Sequence, residues 1–179
     1  MLRSAVLVLA TCISLVAGLP QDAAVQKESD RIHAPGTLAV KGKVPLFMAR
    51  GEGVQIYAAE ADKEGKPQWI LKAPRATLLD YKTGTQVGTH AAGPTWVDND
   101  GGKLTGTGKP LAKEPAPNAD AVPWLLLEVK AENGGRFAKV RNIQRLDTWG
   151  GNAPTVPPEK SGETKEVRYE ATYVFWGDK

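Results

Sequence analysis

The chain has 179 residues, of which 41% are hydrophobic, 23 are Lys or Arg and 20 are Asp or Glu, giving a formal net charge of +3 at pH 7. This length predicts a single domain with a sizeable core. The basic side chains are dispersed rather than clustered, and a net charge this small argues against a nucleic-acid-binding protein.

The N-terminal segment predicts export. Arg3 precedes an apolar stretch over residues 4–17, and a polar segment follows it. This pattern is typical of a secretory signal peptide over residues 1–18, cleaved after Gly18. We expect a secreted, extracellular protein, or a periplasmic one in a bacterium, with no membrane attachment after cleavage; an uncleaved N-terminal anchor is the alternative. Cys12 is the only cysteine, so the mature chain is predicted to have no disulfide.

Residues 19–43 are polar and interrupted by proline and glycine, and we interpret them as an N-terminal strap that crosses the surface and is ordered in its second half. An all-β domain is predicted over residues 44–179. No helical period follows the signal peptide, whereas apolar and polar residues alternate as in strands with one buried face. The predicted strands are 54–58, 68–72, 76–80, 86–90, 94–98, 103–107, 124–131, 136–146 and 167–175.

Several local features refine this prediction. Ala73-Pro74 indicates a turn or a sheet edge, because proline lacks the N–H that a strand ladder needs. A β-bulge is predicted near Val140, and the proline-rich residues 110–121 are predicted to form a loop. In the last strand, the residues predicted to face inward are Val167, Tyr169, Ala171, Tyr173 and Phe175, and those predicted to face water are Arg168, Glu170 and Thr172. Nine short strands predict a single-domain antiparallel β-sandwich or barrel, expected to be a monomer.

The residue inventory argues against several enzyme classes. After the signal peptide the serines are Ser29 and Ser161, and neither lies in the Gly-x-Ser-x-Gly motif of serine hydrolases. Residues 101–110 lack the glycine spacing and the hydroxyl residue of a phosphate-binding loop. Residues 106–111 lack the third glycine of a dinucleotide fingerprint. We therefore predict no cofactor.

Two interpretations exist for Asp98-Asn99-Asp100-Gly101. Alternating oxygen-bearing side chains before a glycine resemble the start of a calcium loop, which makes Asp98 and Asp100 candidate metal ligands. However, Lys109 occupies the position of the bidentate acid, 11 residues after Asp98. The same residues are typical of a β-hairpin turn, which we prefer, so no metal site is predicted.

The candidate ligand site combines residues 87–96, which contain a histidine, a Gly-Pro turn and a tryptophan-bearing strand, with residues 145–151. If the two segments meet, His90 can act as a base or a hydrogen-bond donor. Arg145 can hold a carboxylate, and Trp149 can stack on a sugar or an aromatic ligand. These three residues are the predicted ligand-binding residues, and His90 is also the candidate catalytic residue.

Structural roles are the simpler interpretation for most of these aromatic side chains. A histidine beside a Gly-Pro turn commonly binds backbone carbonyls and ties down the loop. The tryptophans expected to anchor the core are Trp69, Trp96, Trp124 and Trp176. Trp149, in a glycine-rich predicted loop, is the tryptophan expected to be exposed.

A series of short motifs also links the chain to a family. They are, in chain order, Gly53-Val54-Gln55-Ile56-Tyr57, Trp69, Ala73-Pro74, Ala76-Thr77-Leu78, residues 87–96, Pro123-Trp124-Leu125-Leu126-Leu127, Ile143-Gln144-Arg145, Thr148, Gly150-Gly151 and Ala153-Pro154. Together they resemble the secreted fungal and bacterial family called domain of unknown function thirty-four fifty-five (DUF3455), over roughly Val44 to Trp176. The resemblance implies an all-β extracellular domain and assigns no reaction.

Three hypotheses about function follow. The first is a secreted, non-enzymatic domain that binds an extracellular or cell-wall component such as a polysaccharide. The second is a hydrolase or lyase that uses carboxylates together with His90. The third is a purely structural surface protein. We prefer the first, because the export signal and the β pattern are accompanied by none of the catalytic motifs considered above.

Overall fold

In the computed structural model, the chain is described over residues 21–178, and its side chains from Ala23. The predicted signal peptide, with Cys12, lies outside the described residues. The elements are a helix α1 (Gln21–Asp30), short 3-10 helices at Gly36–Leu38 and Gly135–Phe137, and the strands β1 (Val44–Ala61), β2 (Pro67–Asp80), β3 (Gln86–Ala91), β4 (Thr95–Asp98), β5 (Lys103–Gly106), β6 (Ala112–Glu114), β7 (Trp124–Glu132), β8 (Val140–Gly150) and β9 (Thr164–Gly177).

The strands form one antiparallel sheet that closes into a barrel. Its order is β5-β4-β3-β2-β1-β9-β8-β7-β6, and β5 also pairs with β7. That pairing joins Lys103–Gly106 to residues 129–132 and closes eight strands on themselves. The remaining strand, β6, lies outside the closed ring and pairs with the first residues of β7. The predicted all-β, antiparallel single domain is therefore confirmed, and it is a barrel rather than a sandwich.

Large side chains from all around the ring fill the barrel interior. On β9 the predicted inward residues Tyr169, Ala171, Tyr173 and Phe175 are at most 1% exposed. Gly51 makes room for one of them, because a Cβ at that position would lie 2.5 Å from a ring carbon of Tyr173. Alternation along β9 therefore predicted its inner face correctly.

The strands differ in detail from those predicted. The two strands predicted on either side of Ala73-Pro74 are one strand, β2. Pro74 is tolerated there because β3 pairs only with Ala76–Leu79, which leaves the earlier part of β2 at an edge. The predicted bulge near Val140 is confirmed by a register shift between Val140 and Asn142. The predicted loop over 110–121 contains β6.

The segment predicted as a polar strap begins with the ten-residue helix α1, where no helix was predicted. Val25 and Ser29 lie one turn apart and are buried against the outer face of the barrel. Among the side chains described from Ala23 onward, these two buried positions, one of them polar, do not produce a hydrophobic stripe in the sequence. Within residues 21–178, no helix is long and apolar enough to cross a membrane.

A second apolar cluster lies between this N-terminal segment and the outer face of the barrel. It joins Leu38 to Trp124, Leu146, Val174 and Trp176. The side chain of Gln144 is part of it, donating from Nε2 to the Leu38 carbonyl at 2.7 Å and accepting from Trp176 Nε1 at 2.7 Å. The C-terminal half of β9 is therefore buried on both faces.

This covering also explains one incorrect prediction. Thr172, expected to face water, is 3% exposed. In the register it stands between Arg50 of β1 and Leu146 of β8, and Leu146 belongs to the covered cluster.

Candidate functional site

His90 lies inside the barrel, on β3, and is 4% exposed. Its Nδ1 is 2.8 Å from the carbonyl oxygen of Thr95. Because a carbonyl only accepts, Nδ1 carries the proton and donates it across the β3–β4 turn. The imidazole stacks on Trp96, with ring centroids 4.4 Å apart and planes 8° apart. His90 thus ties down the Gly-Pro turn, as the structural interpretation predicted.

The charge state of His90 follows from this burial. Burial lowers the pKa of His90 to about 4; the hydrogen bond to Thr95 opposes the shift and the charge of Arg145 adds to it. His90 is therefore neutral at pH 7, with its surface covered by Trp96 and by the edge contact with Tyr173 at 5.5 Å. A general base needs direct or water-mediated contact with its substrate, and this position gives the predicted catalytic role no support.

Arg145 lies on β8 and also points into the barrel, where Tyr173 of β9 and Leu125 of β7 are its cross-strand neighbours. Its guanidinium donates to the carbonyl oxygen of Pro123 from Nε at 3.1 Å and from Nη2 at 2.8 Å. Among residues 23–178, no carboxylate forms an ion pair with it. Arg145 is thus a partly buried cation without a counter-charge in the described part of the chain.

Three tyrosines surround this cation. Burial raises the pKa of Tyr57, Tyr169 and Tyr173, so each is an uncharged hydroxyl at pH 7. The hydroxyls of Tyr169 and Tyr173 lie 3.3 Å apart, and that of Tyr57 donates to the carbonyl of Gly151 at 2.8 Å. This end of the barrel is therefore polar and aromatic, and Arg145 supplies its charge.

Sequence reasoning missed Gln55 as a member of this interior, whereas it expected Trp96 in the core. Gln55 and Trp96 are each 1% exposed. Gln55 Nε2 and Trp96 Nε1 have no acceptor among the described residues. The only signal for Gln55 was the alternation of Gln55 and Tyr57 with the apolar Val54 and Ile56. That pattern shows that β1 has two different faces, and the structure turns the polar one inward.

Trp149, unlike His90 and Arg145, lies on the outer surface of the barrel. It is 59% exposed, as predicted, but it lies near the end of β8 rather than in a loop. Leu146 pairs with Thr172 and Trp149 pairs with Glu170, so two residues of β8 stand against one of β9. This bulge contains Asp147, whose φ of 46° is in the left-handed region.

The bulge determines where Trp149 points. Arg145 faces inward, and strict alternation would turn residue 149 inward as well. The extra residue reverses the phase, so that Trp149 faces outward beside Glu170. Arg145 and Trp149, predicted to share a site, are therefore on opposite faces of the same strand.

Three adjoining surface grooves share Trp149. Their volumes are about 380, 380 and 690 Å³. We call this region the Trp149 surface. Its polar lining side chains include Glu52, Asn118, Asp120, Asp147, Arg168 and Glu170. An exposed indole is therefore surrounded by carboxylates, by the amides of Asn118 and Asn152 and by the guanidinium groups of Arg50 and Arg168.

Three of the four tryptophans predicted to anchor the core are buried, and Trp69 is the exception. Trp96, Trp124 and Trp176 are at most 7% exposed. Trp69 is partly exposed and donates from Nε1 to the carbonyl of Val156 at 2.9 Å, so it holds the loop after β8 rather than a core.

Asp98 and Asp100 lie in the β4–β5 hairpin turn. Asp98 Oδ1 accepts from the backbone N–H groups of Asp100 and Gly102, each at 2.8 Å, which confirms the hairpin interpretation of this motif. Asp98 is 5% exposed and its other oxygen lies beside Gly135, whereas Asp100 is exposed. Within the described residues, no group of three or more Asp, Glu, His or Cys side chains could hold a metal ion.

The structure thus divides the predicted site. His90 and Arg145 share the barrel interior, and Trp149 stands on the outer surface. A family model described as Protein of unknown function (DUF3455) matches residues 40–177. No curated protein and no solved structure matches the chain.

Proposed function

The chain belongs to the DUF3455 family, which has no established function, and from this starting point we propose that it is a secreted, non-enzymatic domain that binds an extracellular or cell-wall polysaccharide through the Trp149 surface. The single observation that carries the proposal is the placement of Trp149. A large aromatic side chain that is 59% exposed loses favourable burial unless something covers it.

The chemistry around Trp149 fits a sugar polymer. The flat indole can cover the C–H face of a pyranose ring, while carboxylates and amides exchange hydrogen bonds with its hydroxyls. Glu170 stands directly opposite Trp149 in the register, and Asn118 and Asp147 line one of the adjoining grooves. Open grooves on either side of the indole leave room for a chain of sugar units to continue.

Export is part of the proposal. Helix α1 begins at Gln21, after the predicted cleavage site at Gly18. Removal of residues 1–18 would therefore leave the described helices and strands in place. N-terminal sequencing of the protein from culture medium tests this point, with Leu19 expected as the first residue; an intact Met1 on protein retained by cells would contradict it.

The binding experiment is sedimentation with insoluble cellulose, chitin and β-1,3-glucan. We expect the wild-type protein to bind at least one of them, and Trp149→Ala to weaken that binding about tenfold or more, because interface tryptophans commonly carry a large share of the affinity. The matched control is Leu111→Ala. Leu111 is also 59% exposed but lies outside the Trp149 surface.

Wild-type protein that binds none of these polymers, or equal loss in the Trp149 and Leu111 variants, would contradict the proposal. The alternative hydrolase requires His90 to reach a substrate, and burial of its ring weighs against that. If His90→Phe abolished a hydrolytic activity while the variant stayed folded, the alternative would replace our proposal.

A further inference from the structure

One end of the barrel interior contains N–H donors without acceptors. Gln55 Nε2 and Trp96 Nε1 are buried, and no atom of the described residues accepts a hydrogen bond from them. Both side chains are 1% exposed. Buried polar groups in native proteins almost always have partners, so two unpartnered donors in one interior require an explanation.

Positive charge lies at the same end. The guanidinium of Arg145 donates to the neutral carbonyl of Pro123 at 2.8 and 3.1 Å and also hydrogen-bonds the uncharged hydroxyl of Tyr173, and among the described residues no carboxylate pairs with it. Its neighbours His90, Tyr57, Tyr169 and Tyr173 are uncharged at pH 7. Burial of a cation, even in part, is less costly when an anion compensates it.

Contacts between the rings bring these groups together. Tyr173 faces Arg145 in the register, and its ring lies 6.1 Å from that of Trp96. Gln55 is linked to the same set through Gly151, because a Cβ on Gly151 would lie 3.2 Å from Gln55 Cγ and 2.7 Å from Tyr169 Cβ. Gln55, Tyr169, Tyr173, Arg145 and Trp96 are thus linked through successive neighbours inside the barrel.

This region is close to solvent. Gly151 and Val167 line the groove of about 690 Å³, and Val167 is the register neighbour of Gln55. Gly151 therefore lies between the groove and the side chain of Gln55. Arg145 itself is only partly buried.

We propose that this end of the barrel binds a small oxyanion, a carboxylate or a phosphate, through the guanidinium of Arg145 and the N–H groups of Gln55 and Trp96. Two oxygens of such an anion accept from a guanidinium in a fork and still have lone pairs for further N–H donors. The aromatic rings that fill the rest of the interior restrict the ligand to a small size.

The donors of this site, Arg145, Gln55 and Trp96, do not line the Trp149 surface, although Gly151 beside Gln55 lines one of its grooves, and the proposal does not depend on polysaccharide binding. Trp149 faces outward at the bulge, whereas Arg145 faces inward. The two proposals can therefore fail independently.

The experiment measures thermal unfolding and calorimetric binding of the full mature chain at pH 7 with sodium acetate or sodium phosphate, against sodium chloride of equal ionic strength. At an anion concentration of about ten times Kd, we expect Tm to be about 3 °C higher than in sodium chloride, and this rise to saturate with anion concentration. A response to acetate alone identifies a carboxylate ligand, and a response to phosphate alone identifies a phosphate ligand; either supports the proposal.

The variant pair is Trp96→Phe and Trp124→Phe. Both tryptophans have a buried Nε1 without an acceptor in the described residues, but Trp124 packs in the cluster outside the barrel. We expect Trp96→Phe to weaken anion binding about tenfold and Trp124→Phe and Trp149→Ala to leave it unchanged. If Trp96→Phe does not fold, Gln55→Leu is the second variant, with the same expected loss.

Two results would overturn the proposal. One is a wild-type protein with no saturable response to either anion beyond that to chloride. The other is equal anion affinity in Trp96→Phe and Trp124→Phe.

Discussion

At the scale of single residues, His90 links the stability of the barrel to pH. It is buried and neutral, and its pKa is lowered to about 4 in the folded protein, against 6.5 for an ordinary histidine. The unfolded chain therefore binds a proton that the folded chain does not, between about pH 6.5 and 4. Stability is present above pH 6.5 and is lost as the pH falls through this window.

We expect this effect to lower the free energy of unfolding by about 3 kcal/mol between pH 7 and pH 4. The groups packed against His90 are the rings of Trp96 and Tyr173, the carbonyl of Thr95 and, at longer range, the charge of Arg145. Urea unfolding at a series of pH values measures the effect. His90→Phe keeps a ring to stack on Trp96 but cannot bind the proton, so most of this pH dependence should be absent from the variant.

The control for this prediction is His33→Gln. His33 is the other histidine and is exposed on the N-terminal segment. The prediction fails if His90→Phe and the wild-type protein lose the same free energy between pH 6.5 and pH 4.5.

At the scale of elements, the bulge in β8 is the feature that exposes Trp149. It places Asp147 at φ 46°, which is unfavourable for residues other than glycine and, to a lesser extent, asparagine and aspartate. Asp147→Val should lower the free energy of unfolding by about 1–2 kcal/mol, and Asp147→Gly should change it by less than about 1 kcal/mol. Urea unfolding tests both.

The same variants test whether the bulge orients Trp149. Asn133 also has a left-handed φ, of 65°, in the turn after β7, and it does not line the Trp149 surface. We expect Asn133→Val to cost similar stability but leave acrylamide quenching of Trp149 unchanged. Asp147→Val should reduce that quenching. Equal quenching in the two variants would show that the bulge residue does not position the indole.

The elements also show where local sequence patterns succeed and where they fail. Alternation located most strands, because side chains of a strand point to opposite faces in turn. The pattern missed helix α1, since the buried residues among its described side chains are Val25 and the polar Ser29, which leaves almost no apolar period. It also divided β2 at Pro74, because the effect of a proline depends on whether a neighbouring strand needs its N–H.

At the scale of the whole molecule, the N-terminal segment is part of the packed structure. Leu38 is 0% exposed, and its carbonyl accepts from Gln144 Nε2. Leu38→Ala should lower the free energy of unfolding by about 2–5 kcal/mol, because it leaves a cavity over the outer face of the barrel. Val156→Ala, at a side chain that is 74% exposed, should change it by at most about 0.5 kcal/mol.

Tryptophan fluorescence and far-ultraviolet circular dichroism should report the same unfolding midpoint in the wild-type protein, because both apolar clusters include β1, β8 and β9. A Leu38→Ala variant as stable as Val156→Ala would mean that the N-terminal segment rests on the barrel without stabilising it.

Family membership and the all-β class could be recognised from the sequence, because motif order and strand alternation are properties of neighbouring residues in the chain. Closure could not, since it depends on β5 meeting β7 across the intervening segment. For the same reason the sequence identified His90, Arg145 and Trp149 as candidates but grouped them incorrectly. Side-chain direction near the end of β8 depends on one additional residue in the pairing with β9, and pairing register is decided by partners distant in the chain.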